Sequence, residues 1–344
     1  MIYGAGCNAL IGTQMRCSAI TGTVFSSHDV AGHPECNARL LTACTGLDPR
    51  CQVLPPQVCS TADLERIHDR SYLAWLQDRC RGTATVAYLD PDTYITRSSF
   101  DVASCAAGSA VGAVKRALSG EHCFALIRPP GHHAEHNRAM GFCLINNAAI
   151  AAAAALENAD RIAIVDWDYH HGNGTQHSFY SSNRVLYCSV HHEGAFPYTG
   201  EIQETGIGEG EGFTINAPLS ADATIADYYS VFSEVFIPAI KRFDPDALII
   251  SAGQDILFDD PLGMMDIRPG DFEVLAGMLA HSIGTGIALV LEGGYSPSHG
   301  DAIAGIFAGL RSGRDKPAHC GEPQGRTTEV VALLKKIHRL HRVS

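Results

Sequence analysis

The chain has no run approaching the roughly 20 consecutive apolar residues that a membrane-spanning helix needs, and Met1 to Gly12 lacks the basic start of a secretory signal. A soluble, cytoplasmic or otherwise intracellular protein is therefore expected, with no membrane partner. Charge is sparse as well. Only 18% of the residues are charged and 46% are hydrophobic, with 25 basic residues against 37 acidic ones for a net −12. That balance argues against a disordered chain and against direct nucleic-acid binding through phosphates. Among the twelve cysteines no pair has the two-residue spacing of a zinc knuckle or a thioredoxin-type motif, so they read as buried, reduced thiols. Internal repeats, Pro/Ser linkers and dividing charge runs are also missing. The 344 residues read as one domain, with an N-terminal extension at 1–19, a core over about 20–310 and a C-terminal segment 311–344 ending in a helix. The basic run from Lys335 to Val343 fits the solvated face of that helix.

What is present is a pattern of helices and short buried strands. Apolar and small residues recur at helical spacing over 101–118, 144–157, 225–243 and 271–283, with Pro238 expected to kink the third. A strand is plausible at 20–25. Between the helices lie apolar runs without alternation, at 123–127, 161–165, 185–190, 247–251 and 287–291, which suit strands buried on both faces of a parallel sheet. Each run passes into a polar, Gly-rich segment. In open α/β sheets the ligand crevice lies at the carboxyl ends of the strands, so these segments are expected to converge.

Their residue types specify chemistry. Asp168 and His170 stand two apart past a strand, so both side chains project to one side of an extended backbone. With Asp255 from another strand end they make a three-ligand set with an open position, as catalytic zinc keeps, although iron(II) or cobalt would also be accepted. His132 and His133, in a Pro/Gly turn, supply a general base beside such a metal. Asp166 and Asn173 are available to orient the two imidazoles. Tyr295, after two glycines, can stabilise an oxyanion. Metal, base and donor together specify hydrolysis of a carbonyl compound, most naturally an amide.

The segments Arg128-Pro-Pro-Gly-His-His-Ala-Glu135, Gly141-Phe142, Asp166-x-Asp-x-His-His-Gly-Asn-Gly-Thr-Gln176, Ser251-Ala-Gly-Gln-Asp255, Asp260-Pro-Leu262 and Leu291-Glu-Gly-Gly-Tyr295 resemble the zinc-dependent histone deacetylase and acetylpolyamine amidohydrolase family. Gly32-His-Pro-Glu35 and Leu89-Asp-Pro-Asp-Thr93 extend the resemblance, which spans roughly 20–310; Asn173 and the Leu-Glu-Gly-Gly-Tyr run are similar to its class II branch and bacterial relatives. The resemblance implies the arginase-deacetylase α/β fold, a central parallel sheet of about eight strands with helices on both faces. It implies zinc on Asp168, His170 and Asp255, with His133 as general base and His132 as its electrostatic partner. Asn173 stands behind His133 and Asp166 behind His132, and Tyr295 polarises the acetyl carbonyl. Gly141, Phe142 and Phe196 match the substrate channel, Asp92 (or, less well, Asp90) a rim residue that holds substrate backbone, and Leu262 a channel-mouth position where one branch of polyamine-selective relatives carries Glu. A potassium site using Asp166, Asp168, His170 and Ser189 is implied too. The expected substrate is an acetylated lysine side chain of a protein or peptide. An acetylated polyamine or other small acylated amine is the alternative, and a catalytically silent acyl-lysine binder is the reading of another class. Trp167 and Tyr169 depart from the family in bulk, and are expected to alter packing beneath the metal.

Overall fold

The protein is described here by a computed structural model covering residues 16–317 and 321–340. The expected extension up to residue 15 and the end of the basic run, 341–343, lie outside the described residues. Ten strands occur among the described residues: β1 (Cys17–Ile20), β2 (Gln52–Leu54), β3 (Ala87–Tyr88), β4 (Tyr94–Ile95), β5 (His122–Ala125), β6 (Ile162–Asp166), β7 (Val185–His192), β8 (Thr214–Leu219), β9 (Ala247–Ala252) and β10 (Ile287–Leu291). β3 and β4 form a small antiparallel pair. The other eight form one sheet in the order β2-β1-β5-β10-β9-β6-β7-β8, every neighbouring pair parallel. The expected sheet of about eight parallel strands is thus present. β5, β6, β9 and β10 are buried along their whole lengths, which explains why they read as continuous apolar runs.

The helices are α1 (Asn37–Cys44), α2 (Thr61–Leu64), α3 (Arg70–Gly82), α4 (Ser99–Leu118), α5 (Asn147–Ala155), α6 (Asn173–Phe179), α7 (Ile225–Val231), α8 (Ile237–Phe243), α9 (Asp271–Ser282), α10 (His299–Ser312) and α11 (Gly325–Ile337). α4 and α5 pack on each other and on the strands, while α9 pairs with α10, whose Phe307 meets Phe124 of β5. In α4 and α5 alanine, glycine and serine are buried nearly all round. Small side chains let the two helices approach each other and the strands, as a helix apolar on every side must be enclosed. α5 begins at Asn147 rather than 144 because the Asn146 side chain accepts from Ala149 N at 2.9 Å and caps it.

Several expectations need correction. The strand anticipated at 20–25 lies at Cys17–Ile20, and Thr23–Ser27 is a 3-10 turn; the boundary at residue 19 therefore cuts through β1. The boundary at 310 falls inside α10. β7 continues through His191 and His192, paired with Pro218 and Leu219 of β8, instead of ending at 190. The kink assigned to Pro238 is a π-helical turn at Phe232–Phe236, just before the proline. A proline lacks the N–H that would bond back along the helix and its ring crowds the preceding turn, so one wider turn is inserted there. Of the basic run only Lys335–Ile337 lie on a helix, the end of α11, which also buries Thr327, Val330, Val331 and Leu334; past the helix end His338 and Leu340 are buried rather than solvated.

Candidate active site

The turns that follow β5, β6, β9 and β10 meet at the carboxyl ends of these central strands. They enclose a narrow pocket of about 210 Å³. His132, His133, Asp168, His170, Asp255, Gly141, Phe142, Phe196, Asp92, Leu262 and Tyr295 all line it, as do Pro130 and Gly293, which the sequence did not single out. Asp166, Asn173 and Ser189 do not line it; they lie behind the lining residues.

At the floor, ligand atoms of Asp168, His170 and Asp255 all fall within 4.8 Å of one another. His170 Nδ1 lies 3.3 Å from Asp168 Oδ1 and 3.1 Å from Asp255 Oδ2. Backbone amides hold the carboxylates: Tyr169 N–H donates to Asp255 Oδ1 at 2.9 Å and Gly293 N–H to Asp168 Oδ2 at 2.8 Å. Gly293 must be glycine, since a Cβ there would stand 2.4 Å from an Asp255 oxygen and 2.7 Å from an Asp168 oxygen. Burial and the charge of Asp168 push the Asp255 carboxyl up to about 7. Two crowded buried carboxylates with an imidazole nitrogen suit a divalent cation, whose charge would relieve that repulsion. The donor set therefore fits zinc.

The two histidines are held differently. His132 Nδ1 is 3.2 Å from Asp166 Oδ2, and its Nε2 is 3.7 Å from Asp168 Oδ1. Burial opposes its charge, but Asp168 and Asp166 outweigh burial and lift it to about 10. His133 Nδ1 is 2.8 Å from Asn173 Oδ1. Burial, then the charges of His132 and His170, push His133 well below the ordinary histidine value. The Asn173 amide nitrogen faces the Glu135 carboxylate and the His133 carbonyl, so its oxygen must face the ring. His133 Nδ1 consequently carries the proton and Nε2 a free lone pair.

Tyr295 closes the pocket opposite. Its backbone N–H donates to Asp260 at 2.6 Å, and the Arg39 guanidinium lies 5.3 Å from its ring centroid. Burial pushes the phenol well above its ordinary value, against the pull of Arg39, so the hydroxyl stays a donor at neutral pH. On the walls, Phe142 meets Tyr295 edge-on at 5.9 Å and Phe196 meets His133 at 5.1 Å. Phe142 itself sits at φ 66°, a left-handed backbone that bulky residues rarely adopt, and its N–H bonds to Thr93 Oγ1 at 3.1 Å. Preceding it, Gly141 is at φ 55°, where a Cβ would stand 2.6 Å from the His133 ring. At the mouth Asp92 is exposed and lines the pocket, whereas Asp90 is taken up by Thr93 N–H and Oγ1 at 2.6 and 2.9 Å. The structure thus separates the two rim candidates.

Beneath the floor, Asp166 and Ser189 are register partners on β6 and β7, and the Ser189 hydroxyl bonds to His191 at 2.9 Å. Trp167 turns away from the floor and packs edge-on against Phe272 of α9, while Tyr169 stacks on His192. Their bulk is absorbed beside the sheet.

Sequence reasoning missed four supporting residues. Glu292 accepts from Gly131 N–H at 2.6 Å and His132 N–H at 3.1 Å, fixing the histidine turn, and burial pushes it up to about 7. Tyr187 O–H donates to Asp166 Oδ2 at 3.1 Å. Glu135 orients Asn173, and Arg39 faces Tyr295. Glu292 and Glu135 stood inside quoted motifs, which was the available signal; Tyr187 and Arg39 carried none.

Comparison with known proteins agrees with this geometry. A family profile described as the histone deacetylase domain matches residues 33–309. "Histone deacetylase 5" of Arabidopsis thaliana is 37% identical over 82% of this chain and 47% of its own length. "Probable deacetylase" of Archaeoglobus fulgidus is 38% identical over 80% of this chain and 82% of its own. The "histone deacetylase-like amidohydrolase" of Pseudomonas aeruginosa is 35% identical over 82% and 78%. This chain spans only about half, or less, of the lengths of three Arabidopsis thaliana relatives, "Histone deacetylase 5", "Histone deacetylase 15" and "Histone deacetylase 18". A crystal structure of the HDA15 HD domain superposes with a TM-score of 0.86 at 32% identity, covering 94% of this chain and 95% of that one.

Proposed function

This chain belongs to the histone deacetylase family, and we propose that it is a zinc-dependent deacylase that hydrolyses the amide of Nε-acetyl-lysine. One observation carries the reading: a three-residue metal cluster, two differently held histidines and a protonated tyrosine line a single narrow pocket. Asp168, His170 and Asp255 would hold the zinc, which when bound lowers the pKa of water to about 7 and polarises a carbonyl. His133 Nε2, with its lone pair free, takes a proton from the attacking water. His132 stays cationic between Asp166 and Asp168 and offsets the negative charge that develops beside it. Tyr295 donates its hydroxyl proton as a hydrogen bond to the carbonyl oxygen as that oxygen gains charge. His133 then returns its proton to the leaving lysine amine.

Phe142 and Phe196 flank the path to this floor. Burying four lysine methylenes between them contributes about 3 kcal/mol at roughly 0.8 kcal/mol each. Asp92 at the mouth is placed to accept from the substrate's backbone N–H groups. The same residues, with Leu262 in place of an acid, favour a peptide over a polyamine. The net charge of −12 supports acetylated polyamines as the second substrate class. A structural potassium ion would be held by Asp166, Asp168, His170 and Ser189.

Competition between an acetyl-lysine peptide and acetylspermidine or acetylputrescine tests the substrate class. The reading expects the peptide to be turned over in preference. Polyamine turnover alone would replace it with a small-molecule amidohydrolase.

A further inference from the structure

At the amino ends of the strands, on the side of the sheet away from the pocket, β1 starts at Cys17 and β2 is preceded by Cys51. The parallel register pairs Ser18 with Gln52 and so sets Cys17 beside Cys51. Both cysteines are free and half-buried. Adjacent strands run about 4.8 Å apart, inside the roughly 4.4–6.8 Å Cα separation that a disulfide spans. Closing the pair needs no large backbone movement.

A second observation points to a ligand. A cavity of about 360 Å³ opens on the two thiols, and Arg16, Arg50, Arg116 and Arg311 line it. Glu121 lies there too and pairs with Arg116 at 2.8 Å, while Asp48 binds Arg50 at 3.1 Å and also Arg311. These carboxylates fix the arginines without cancelling them. Guanidinium groups match carboxylates in planar, two-pronged pairs, so the cavity suits an anionic thiol compound bearing carboxylates.

We propose that Cys17 and Cys51 are a thiol–disulfide exchange site for small anionic disulfides, of which glutathione disulfide is the type, and that exchange ends in a Cys17–Cys51 disulfide joining β1 to β2. Cys51 is the attacking thiol. The adjacent Cys17 thiol and the nearby Arg50 lower it below the ordinary thiol value against the effect of burial, which raises its thiolate fraction. The Cys51 thiolate attacks one sulfur of the disulfide, forming a mixed disulfide and releasing one glutathione thiolate, which takes up the displaced proton. Cys17 then loses its proton and attacks the Cys51 sulfur, expelling the second glutathione, which is protonated in turn. Two protein thiols are oxidised by two electrons and the small disulfide is reduced to two thiols. The product anchors β2, an edge strand of only three residues.

The test uses the reduced full-length protein, glutathione disulfide as probe, acid quenching and peptide mapping after alkylation. The expected result is loss of two thiols and recovery of a linked Cys17–Cys51 peptide pair. Cys17→Ser should stop at glutathione on position 51, and Cys51→Ser should leave Cys17 reduced. Acetate release by both reduced variants, equal to the parent, establishes that they are folded. Replacing Arg16 by Ser, which lines the cavity without acting on the Cys51 thiol, should slow the reaction with glutathione disulfide by about threefold while leaving that with neutral 2-hydroxyethyl disulfide almost unchanged. No linked pair, or oxidation spread evenly over the twelve cysteines, would overturn the proposal. Equal slowing with both probes would overturn its anionic part.

Discussion

Two buried ionic clusters lie close together in this molecule, and they are built on opposite principles. In the first, Arg128 donates to Glu35 at 2.9 and 2.6 Å, Arg39 reaches the same carboxylate at 3.1 Å, and Tyr94 O–H donates to it at 3.3 Å. Arg128 and Glu35 are both fully buried. Burial would raise Glu35, yet Arg128, with His28 and Arg39, holds it well below the usual carboxylate range. In the second, Asp166, Asp168, Asp255 and Glu292 have, among the described residues, His132 and His170 as their positive partners. There burial and mutual repulsion push Asp255 and Glu292 up to about 7. The first cluster carries its own cations and needs nothing further. The second has more carboxylate than fixed positive charge, which is the mark of a site completed by a proton or a metal ion.

Removing a ligand from the acidic cluster should have the largest effect on function. Asp255→Ala is expected to lose bound zinc and to lower acetate release by on the order of a thousandfold or more, as read by metal analysis beside a turnover assay. Breaking the balanced cluster should act on folding. Glu35→Gln leaves the buried Arg128 with only the half-exposed Asp29, 3.9 Å away, as counter-charge and should cost about 3 kcal/mol in denaturant unfolding, with the zinc content of the folded fraction unchanged. If instead it removed zinc and spared stability, the contrast between the clusters would fail. Tyr295→Phe should reduce kcat by about 10²–10³ with zinc retained, because only a donor to the developing oxyanion is lost.

The smallest effect is on pH dependence, and the two clusters should differ in its sign. Glu35 is lowered on folding, so its contribution is present above the ordinary carboxylate value and is lost as pH falls through its folded value. Asp255 is raised, so its contribution is present below the ordinary value and is lost as pH rises towards about 7. The metal-free protein should accordingly lose part of its stability between about pH 4 and 7, and zinc should restore it. The gap in Tm between zinc-loaded and metal-free protein is expected to widen over that range. A constant gap would show that Asp255 does not titrate there.

Much of the site was legible because its residues follow apolar strand runs, and parallel strands bring their carboxyl ends together. Thus 123–127, 161–165, 247–251 and 287–291 located the histidine pair, the Asp-x-His turn, Asp255 and Tyr295. What was not legible has local causes. β1 and β2 have four and three residues, too short for a periodicity to register. β8 contains Pro218, which reads as a strand breaker but is tolerated because β8 pairs only with β7, at the sheet edge. Arg39 and Tyr187 reach the site through tertiary packing, from positions that no motif marked.

The central claim is that the acid-rich cluster holds a metal on which amide hydrolysis depends. Its most direct test is acetate release from an acetyl-lysine peptide by protein stripped with a chelator and then titrated with zinc. The account predicts that turnover vanishes on stripping and returns in full at one zinc per chain. Turnover that survives complete metal removal, or zinc-loaded protein that releases acetate from no acylated amine, would contradict it.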